Sequence, residues 1–170
     1  DIEVAILREF DFRQNLIVPN VSNQMGLVGF ETDMLVLSKS GYAHGFEIKV
    51  SKSDLKADLK KPQYTRFNEM RNGKVGIERF YGVFKHFSYA VPEQMKDFAL
   101  EHIHDFCGLW VYKCPKFDGI NYPKFYQAKE PKKLNNYKWS EERRYELARL
   151  GTMRIFALKC GAQSNQKQQL

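Results

Sequence analysis

Asp33, Glu47 and Lys49 set two carboxylates and an amine within one short stretch of the chain, a combination suited to hydrolytic chemistry. Glu47 and Lys49 lie in Phe46-Glu47-Ile48-Lys49-Val50, where two charged residues alternate with three apolar ones. Strand side chains alternate faces, so Glu47 and Lys49 share one face, about 7 Å apart, and Phe46, Ile48 and Val50 share the other. Taken alone, this is a common strand with one wet face. Asp33 changes the reading, because it opens the preceding strand and a bend there brings its carboxylate beside Glu47. Two carboxylates that close repel unless something positive sits between them, and a hard divalent cation does so. The Lys49 ammonium then reaches a water or a phosphate oxygen at the same place. Lys52, Lys56, Lys60 and Lys61 follow at once, and a metal site beside a basic ridge suits a phosphodiester substrate. The competing account of these lysines is a solvated helix face whose charge Asp54 and Asp58 partly offset. Glu31 is a rival to Asp33, since strand alternation puts it on the same face.

The elements that must position these residues can be read from local patterns. Met34 to Leu37 is a buried-strand run, Ser38-Lys39-Ser40-Gly41 a turn, and Tyr42 to Val50 a second strand, so the two form an antiparallel hairpin. Ser51 stands three residues before Asp54, the capping-box spacing, and starts a helix in which Leu55 and Leu59 pack inward. Pro62 ends it. Upstream, "DIEVAILREF" is a short amphipathic helix with Ile2, Ala5, Ile6 and Phe10 on one face. "NLIVPNV", with Pro19 near its end, is an edge strand. Downstream come a strand over 86 to 92, a helix over 93 to 104, a strand from Cys107 to Tyr112 and a strand in "KFYQAKEP". Ser140 caps a helix to about Leu150, with Gly151 just past its end. The polar, glutamine-rich stretch 161–170 is expected as a loosely held tail. Irregular alternation of strands and helices without an internal repeat predicts one α/β (α+β) domain over 1–160, a central mixed β-sheet flanked by helices.

Composition narrows the partners. The chain has 170 residues and a formal net charge of +7, a balance that favours polyanions such as nucleic acid. No apolar run approaches the ~20 residues of a membrane span, so no membrane partner is expected. No signal-peptide pattern is visible. Three cysteines, Cys107, Cys114 and Cys160, make a poor disulfide framework and point to a reducing, intracellular setting. His102, His104, Cys107 and Cys114 match no common zinc spacing. Surface histidines and a core cysteine are the simpler account of them. No hydrophobic patch in the sequence announces an interface.

Glu3 in an N-terminal helix, then Asp33, then Glu47-Ile48-Lys49 resembles the core of the PD-(D/E)XK nuclease superfamily, with Thr32-Asp33 in place of Pro-Asp. The longer pattern "FEIKVSKSDLKADLKKPQY", "HFSYAVP" and "CGLWVYK" resembles MmcB-like proteins, a branch linked to DNA repair. Its matching positions include Ser51, Asp54, Leu55, Asp58, Tyr64, Ala90-Val91-Pro92 and Gly108-Leu109. Small phage and bacterial proteins also resemble "RQNLIVPNVS" and the segments after it. The resemblance covers roughly 1–130, with an inserted segment at about 70–82. It implies a restriction-endonuclease-like core and a DNA endonuclease or other nuclease hydrolysing phosphodiester bonds in repair, recombination or phage DNA processing. The setting would be the cytoplasm of a bacterial cell or phage-infected host. By the same resemblance, Asp33 and Glu47 would ligate Mg²⁺ or Mn²⁺, with the Ile48 carbonyl completing the set. Lys49 would orient or deprotonate the attacking water, and Glu3 would hold a second metal or an outer-shell water. Glu9, on the same helix, is a rival for that last role. Lys52, Lys56, Lys60 and Lys61 would contact DNA. A homodimer is left open, since many nucleases that cut both strands pair two sites. Ser51 reads as a helix cap, Tyr64 as packing, and Arg66, Arg71 and Lys74 as an exposed basic surface. Two other functions stay open: a catalytically silent DNA-binding module on the same fold, and a basic module that docks on an acidic protein.

Overall fold

The computed structural model describes residues 1–22, 26–61, 82–114 and 123–167. The inserted segment at 70–82 therefore lies almost wholly outside the described residues, as do Tyr64, Arg66, Arg71 and Lys74. The fold is α+β, built on a six-stranded mixed sheet in the order β1-β2-β3-β4-β5-β6. The strands are β1 (Leu16–Val21), β2 (Thr32–Leu37), β3 (Ala43–Ile48), β4 (His86–Pro92), β5 (Gly108–Lys113) and β6 (Lys124–Lys129). Pairing is antiparallel for β1–β2, β2–β3 and β5–β6, and parallel for β3–β4 and β4–β5. Among the described residues four α-helices flank the sheet: α1 (Ile2–Glu9), α2 (Lys52–Asp58), α3 (Lys96–His102) and α4 (Glu141–Lys167).

Each sheet face carries its own apolar cluster. On one face, Ile2 and Ile6 of α1 cover Met34, Val36, Phe46, Ala90 and Trp110. The other face places Leu35, Leu37, Tyr89, Val91 and Leu109 beneath Leu55 of α2, Ala99 of α3, and Leu147 and Leu150 of α4. Because helices cover both faces, Glu47 and Lys49 do not line a wet face: they are 2% and 5% exposed. The alternation itself is as the sequence pattern predicts.

Several local expectations are met at the level of single bonds. Pro19 sits in the edge strand β1, where a missing N–H costs no ladder bond on the open side. Gly41 closes the β2–β3 turn with φ +88°, a conformation that L side chains avoid. Ser51 caps α2, its Oγ accepting from the Asp54 N–H at 3.1 Å.

Others differ. The helix expected over 93–104 begins as a tighter 3-10 turn, Glu93–Met95, directly after the extended Pro92, and ends at His102. The helix that Ser140 starts does not stop at Leu150 but runs on to Lys167, through Gly151 and most of the expected tail. Gly151 is there for close approach: a Cβ would lie 3.3 Å from Val18 Cγ2, so a bare backbone lets α4 settle onto β1.

Candidate active site

The β2–β3 hairpin opens at its far end, and that opening builds the site. The ladder pairs Met34 to Leu37 with Phe46 to Ala43 and stops there. Beyond it, side chains of β2 take over the backbone groups of β3. Thr32 Oγ1 donates to the Phe46 carbonyl at 2.9 Å, and the Ile48 N–H donates to Asp33 Oδ2 at 2.7 Å. A buried or half-buried backbone N–H needs a partner, and here a carboxylate supplies it. Asp33 is thus locked beside the end of β3. The Lys49 N–H pairs with the Ala90 carbonyl of β4 at 3.1 Å, which fixes Lys49 from the other side.

Lys49 is the centre of the cluster. Its Nζ lies 2.6 Å from Glu47 Oε2 and 3.5 Å from both Asp33 Oδ2 and Asp58 Oδ1. Asp58, at the end of α2, also pairs with Lys61 at 2.5 Å, and its Oδ2 accepts from the Tyr89 hydroxyl at 3.0 Å. Asp58 is 1% exposed. Tyr89 stands opposite Glu47 in the parallel register, so its hydroxyl enters the cluster from the neighbouring strand. The site lies at the carboxyl end of β3, and the carboxyl ends of the strands are where α/β sheets bind ligands.

The structure brings together Asp33, Glu47, Lys49 and Lys61, and adds Asp58 and Tyr89. Asp58 has a signal in the sequence, being three residues after the inward-facing Leu55 and on the same side of the helix. Tyr89 has none, because its place depends on a parallel pairing across a crossover. Glu3 is exposed on α1, which packs on the opposite face of the sheet, and it lines a cleft with Ile48, Val50 and Pro92 rather than touching Asp33 or Glu47. Its rival Glu9 is exposed and lines a different cleft, with Tyr112 and Phe125. Glu31 is exposed just before β2. Of the basic stripe, Lys52, Lys56 and Lys60 are exposed. Lys52 and Lys56 hold their amines 5.2 and 5.3 Å from the centre of the Phe98 ring, whose plane also stacks against His102 at 4.0 Å. Two cations on one ring form a modest cation–π arrangement that keeps both charges at the surface.

Three carboxylates, Asp33, Glu47 and Asp58, face two ammonium groups, Lys49 and Lys61. Among the described residues the cluster is one positive charge short. Burial, then the neighbouring Asp33 and Asp58, push the Glu47 carboxyl up to about 8, against the pull of Lys49. Burial works against the Lys49 ammonium, but Glu47, Asp58 and Asp33 outweigh it and hold its pKa above the ordinary lysine value. Glu47 therefore accepts a proton where a second cation is lacking.

That has a pH consequence. The folded pKa of Glu47 lies above its unfolded value, so between about 4.5 and 8 the native state binds more protons than the unfolded chain. Stability is fully present below the lower value and is lost as pH rises through the upper one. Denaturant midpoints measured in EDTA should fall across this window, and Glu47→Gln should flatten the slope. An unchanged slope in Glu47→Gln would assign the effect to another group.

The donor set is all hard oxygen, and its charge deficit is the kind a divalent cation relieves, so the residues fit Mg²⁺ or Mn²⁺. Asp33 and Glu47 would hold it, with the Ile48 carbonyl. Among the described residues no group of three or more Asp, Glu, His or Cys side chains is placed to hold a metal ion. Mg²⁺ commonly keeps several waters, which suits a sparse set.

No family model and no curated protein matches the chain. The chain is similar in structure to SPO1766, a protein of unknown function from Silicibacter pomeroyi. The TM-score is 0.54 at 16% identity, over 98% of this chain and 90% of the other. A likeness at that identity concerns the fold alone. Among the described residues no helix is long and apolar enough to cross a membrane.

Proposed function

We propose that the protein is a metal-dependent nuclease that hydrolyses DNA phosphodiester bonds, of the PD-(D/E)XK type and akin to the MmcB-like branch. The observation that carries this reading is the convergence on one ammonium, Lys49 Nζ, of Asp33 and Glu47 at 3.5 and 2.6 Å. Two carboxylates and a lysine at the open end of a hairpin are the groups that metal-assisted hydrolysis of a phosphodiester needs. A bound divalent cation supplies Lewis acidity toward the phosphate and lowers the pKa of water. The protein's own contribution is positional. Asp33 is held by the Ile48 N–H, Glu47 by Lys49, and Lys49 by its backbone bond to Ala90. Lys49, the ammonium nearest both carboxylates, would face a phosphate oxygen and stabilise its developing negative charge. Lys52 and Lys56, beside the Phe98 ring, and the exposed Lys60 offer the adjoining DNA-backbone surface.

The test is cleavage. Purified protein with Mg²⁺ or Mn²⁺ should nick or degrade at least one of plain, single-stranded and branched DNA, and EDTA should stop it. Failure with all three substrates and both metals would sink the reading.

A second reading is favoured by one observation: Lys49 Nζ already lies among the carboxylates, 2.6 Å from Glu47 and 3.5 Å from Asp33 and Asp58. On that reading the protein is a DNA-binding module without cleavage. Both readings use the lysine surface. Changing Lys52, Lys56 and Lys60 together to Ala should weaken DNA binding across sequences. The slope of log affinity against log salt should drop by roughly 1 for each phosphate that is no longer neutralised. Titrations at several salt concentrations measure this, and an unaltered slope would move the DNA surface elsewhere.

A further inference from the structure

The long helix α4 has two apolar faces, and only one is used by the sheet. Leu147 and Leu150 are buried, and Gly151 rests against Val18. Arg154 on the same side donates to the Asn20 carbonyl at 2.8 Å. The opposite side carries Tyr145, Ala148, Arg149, Thr152, Met153 and Phe156, which together line a shallow groove. Tyr145, Met153 and Phe156 are 68%, 53% and 64% exposed. Large apolar residues recurring at helical spacing away from the core indicate a seam awaiting a partner.

We infer that this face of α4 is the contact between two copies of the chain, packed antiparallel about a two-fold axis. Self-complementarity points to a second copy rather than another partner. A two-fold axis at the height of Leu150 and Gly151 sets Tyr145 of one helix against Phe156 of the other, Ala148 against Met153, and Arg149 against Thr152. Aromatic meets aromatic and small meets large, so the ridge of one helix finds the hollow of its twin. The charge nearest the axis is already neutralised within its own helix, since Arg149 makes bonds of 2.6 and 3.0 Å to Glu146 Oε2. Two arginines can therefore approach without a net repulsion between bare cations. The area fits a small interface. Tyr145, Met153 and Phe156 expose roughly 400 Å² per copy, and Ala148, Thr152 and the Arg149 stem bring this to about the lower end of the interface size range.

Sedimentation equilibrium on the full chain tests the proposal. The wild type should sediment at about twice its 20.0 kDa monomer mass. Tyr145→Glu should raise the dissociation constant roughly 30-fold or more, with no change in the circular dichroism spectrum, because the side chain is exposed. The double variant Tyr145→Glu/Phe156→Lys should recover the dimer, since antiparallel packing puts each new carboxylate beside a new ammonium. A monomeric wild type overturns the proposal, whether or not it binds anionic vesicles through this face. So does a dimer indifferent to Tyr145→Glu, or a double variant that stays monomeric. These results bear on α4 alone, and DNA cleavage by a monomer would leave the nuclease reading standing.

Discussion

Lys49→Met unfolds at a free energy about 3–5 kcal/mol below the wild type's, the cost expected when one partner of a buried ion cluster is removed. The methionine fills most of the space, so packing is largely kept. What is lost is the one ammonium shared by Glu47, Asp33 and Asp58, and Glu47 and Asp58 are 2% and 1% exposed. Among the described residues the ammonium that remains is Lys61, which pairs with Asp58 and whose side chain is half exposed. Glu47 answers by taking a proton, so the loss should shrink as pH falls and grow as it rises. Adding Glu47→Gln to Lys49→Met should recover part of the stability, because it removes the repulsion directly. Urea titrations at about pH 6 and pH 9 would measure both effects. A Lys49→Met protein as stable as the wild type would mean that the cluster contributes nothing to the fold.

Asp33→Asn should cut DNA cleavage by at least about 10²-fold while leaving the fold intact. Asparagine keeps an acceptor for the Ile48 N–H, so the hairpin end stays closed, and Asp33 is exposed enough that its charge adds little to the core. The change removes a carboxylate and little else. DNA affinity in EDTA should therefore be preserved. Equal cleavage by Asp33→Asn and wild type would place the reaction at another site, and loss of both binding and folding would make Asp33 a structural residue.

Much of this arrangement is legible in the sequence. The period-2 alternation of "FEIKV", the turn at Gly41 and the capping serine place Glu47, Lys49 and the start of α2 without coordinates. That Asp33 lies near the end of β3 also follows from the hairpin, although no bend is needed and the Ile48 N–H that holds the carboxylate leaves no trace in the sequence. The burial of Glu47 and Lys49 is not legible, because an alternating strand looks the same whether a helix or water covers its charged side. Tyr89 is hidden for a related reason: strand pairing across a crossover leaves no local trace. Gly151 misleads because a glycine after a capped helical stretch signals a C-terminus, whereas here it serves contact with Val18. The same signal hides the outer face of α4, since a helix ending at Leu150 would not carry Met153 and Phe156.

On the proposed function, Asp33 and Glu47 would form a cation site from which Lys49 partly withdraws. Mn²⁺ soaked into crystals at about pH 8, with anomalous diffraction, tests this most directly. An anomalous peak should appear between the Asp33 and Glu47 carboxylates, with a lengthened Lys49–Glu47 contact. An unchanged 2.6 Å Lys49–Glu47 pair with no peak beside it would mean that these residues hold no cation.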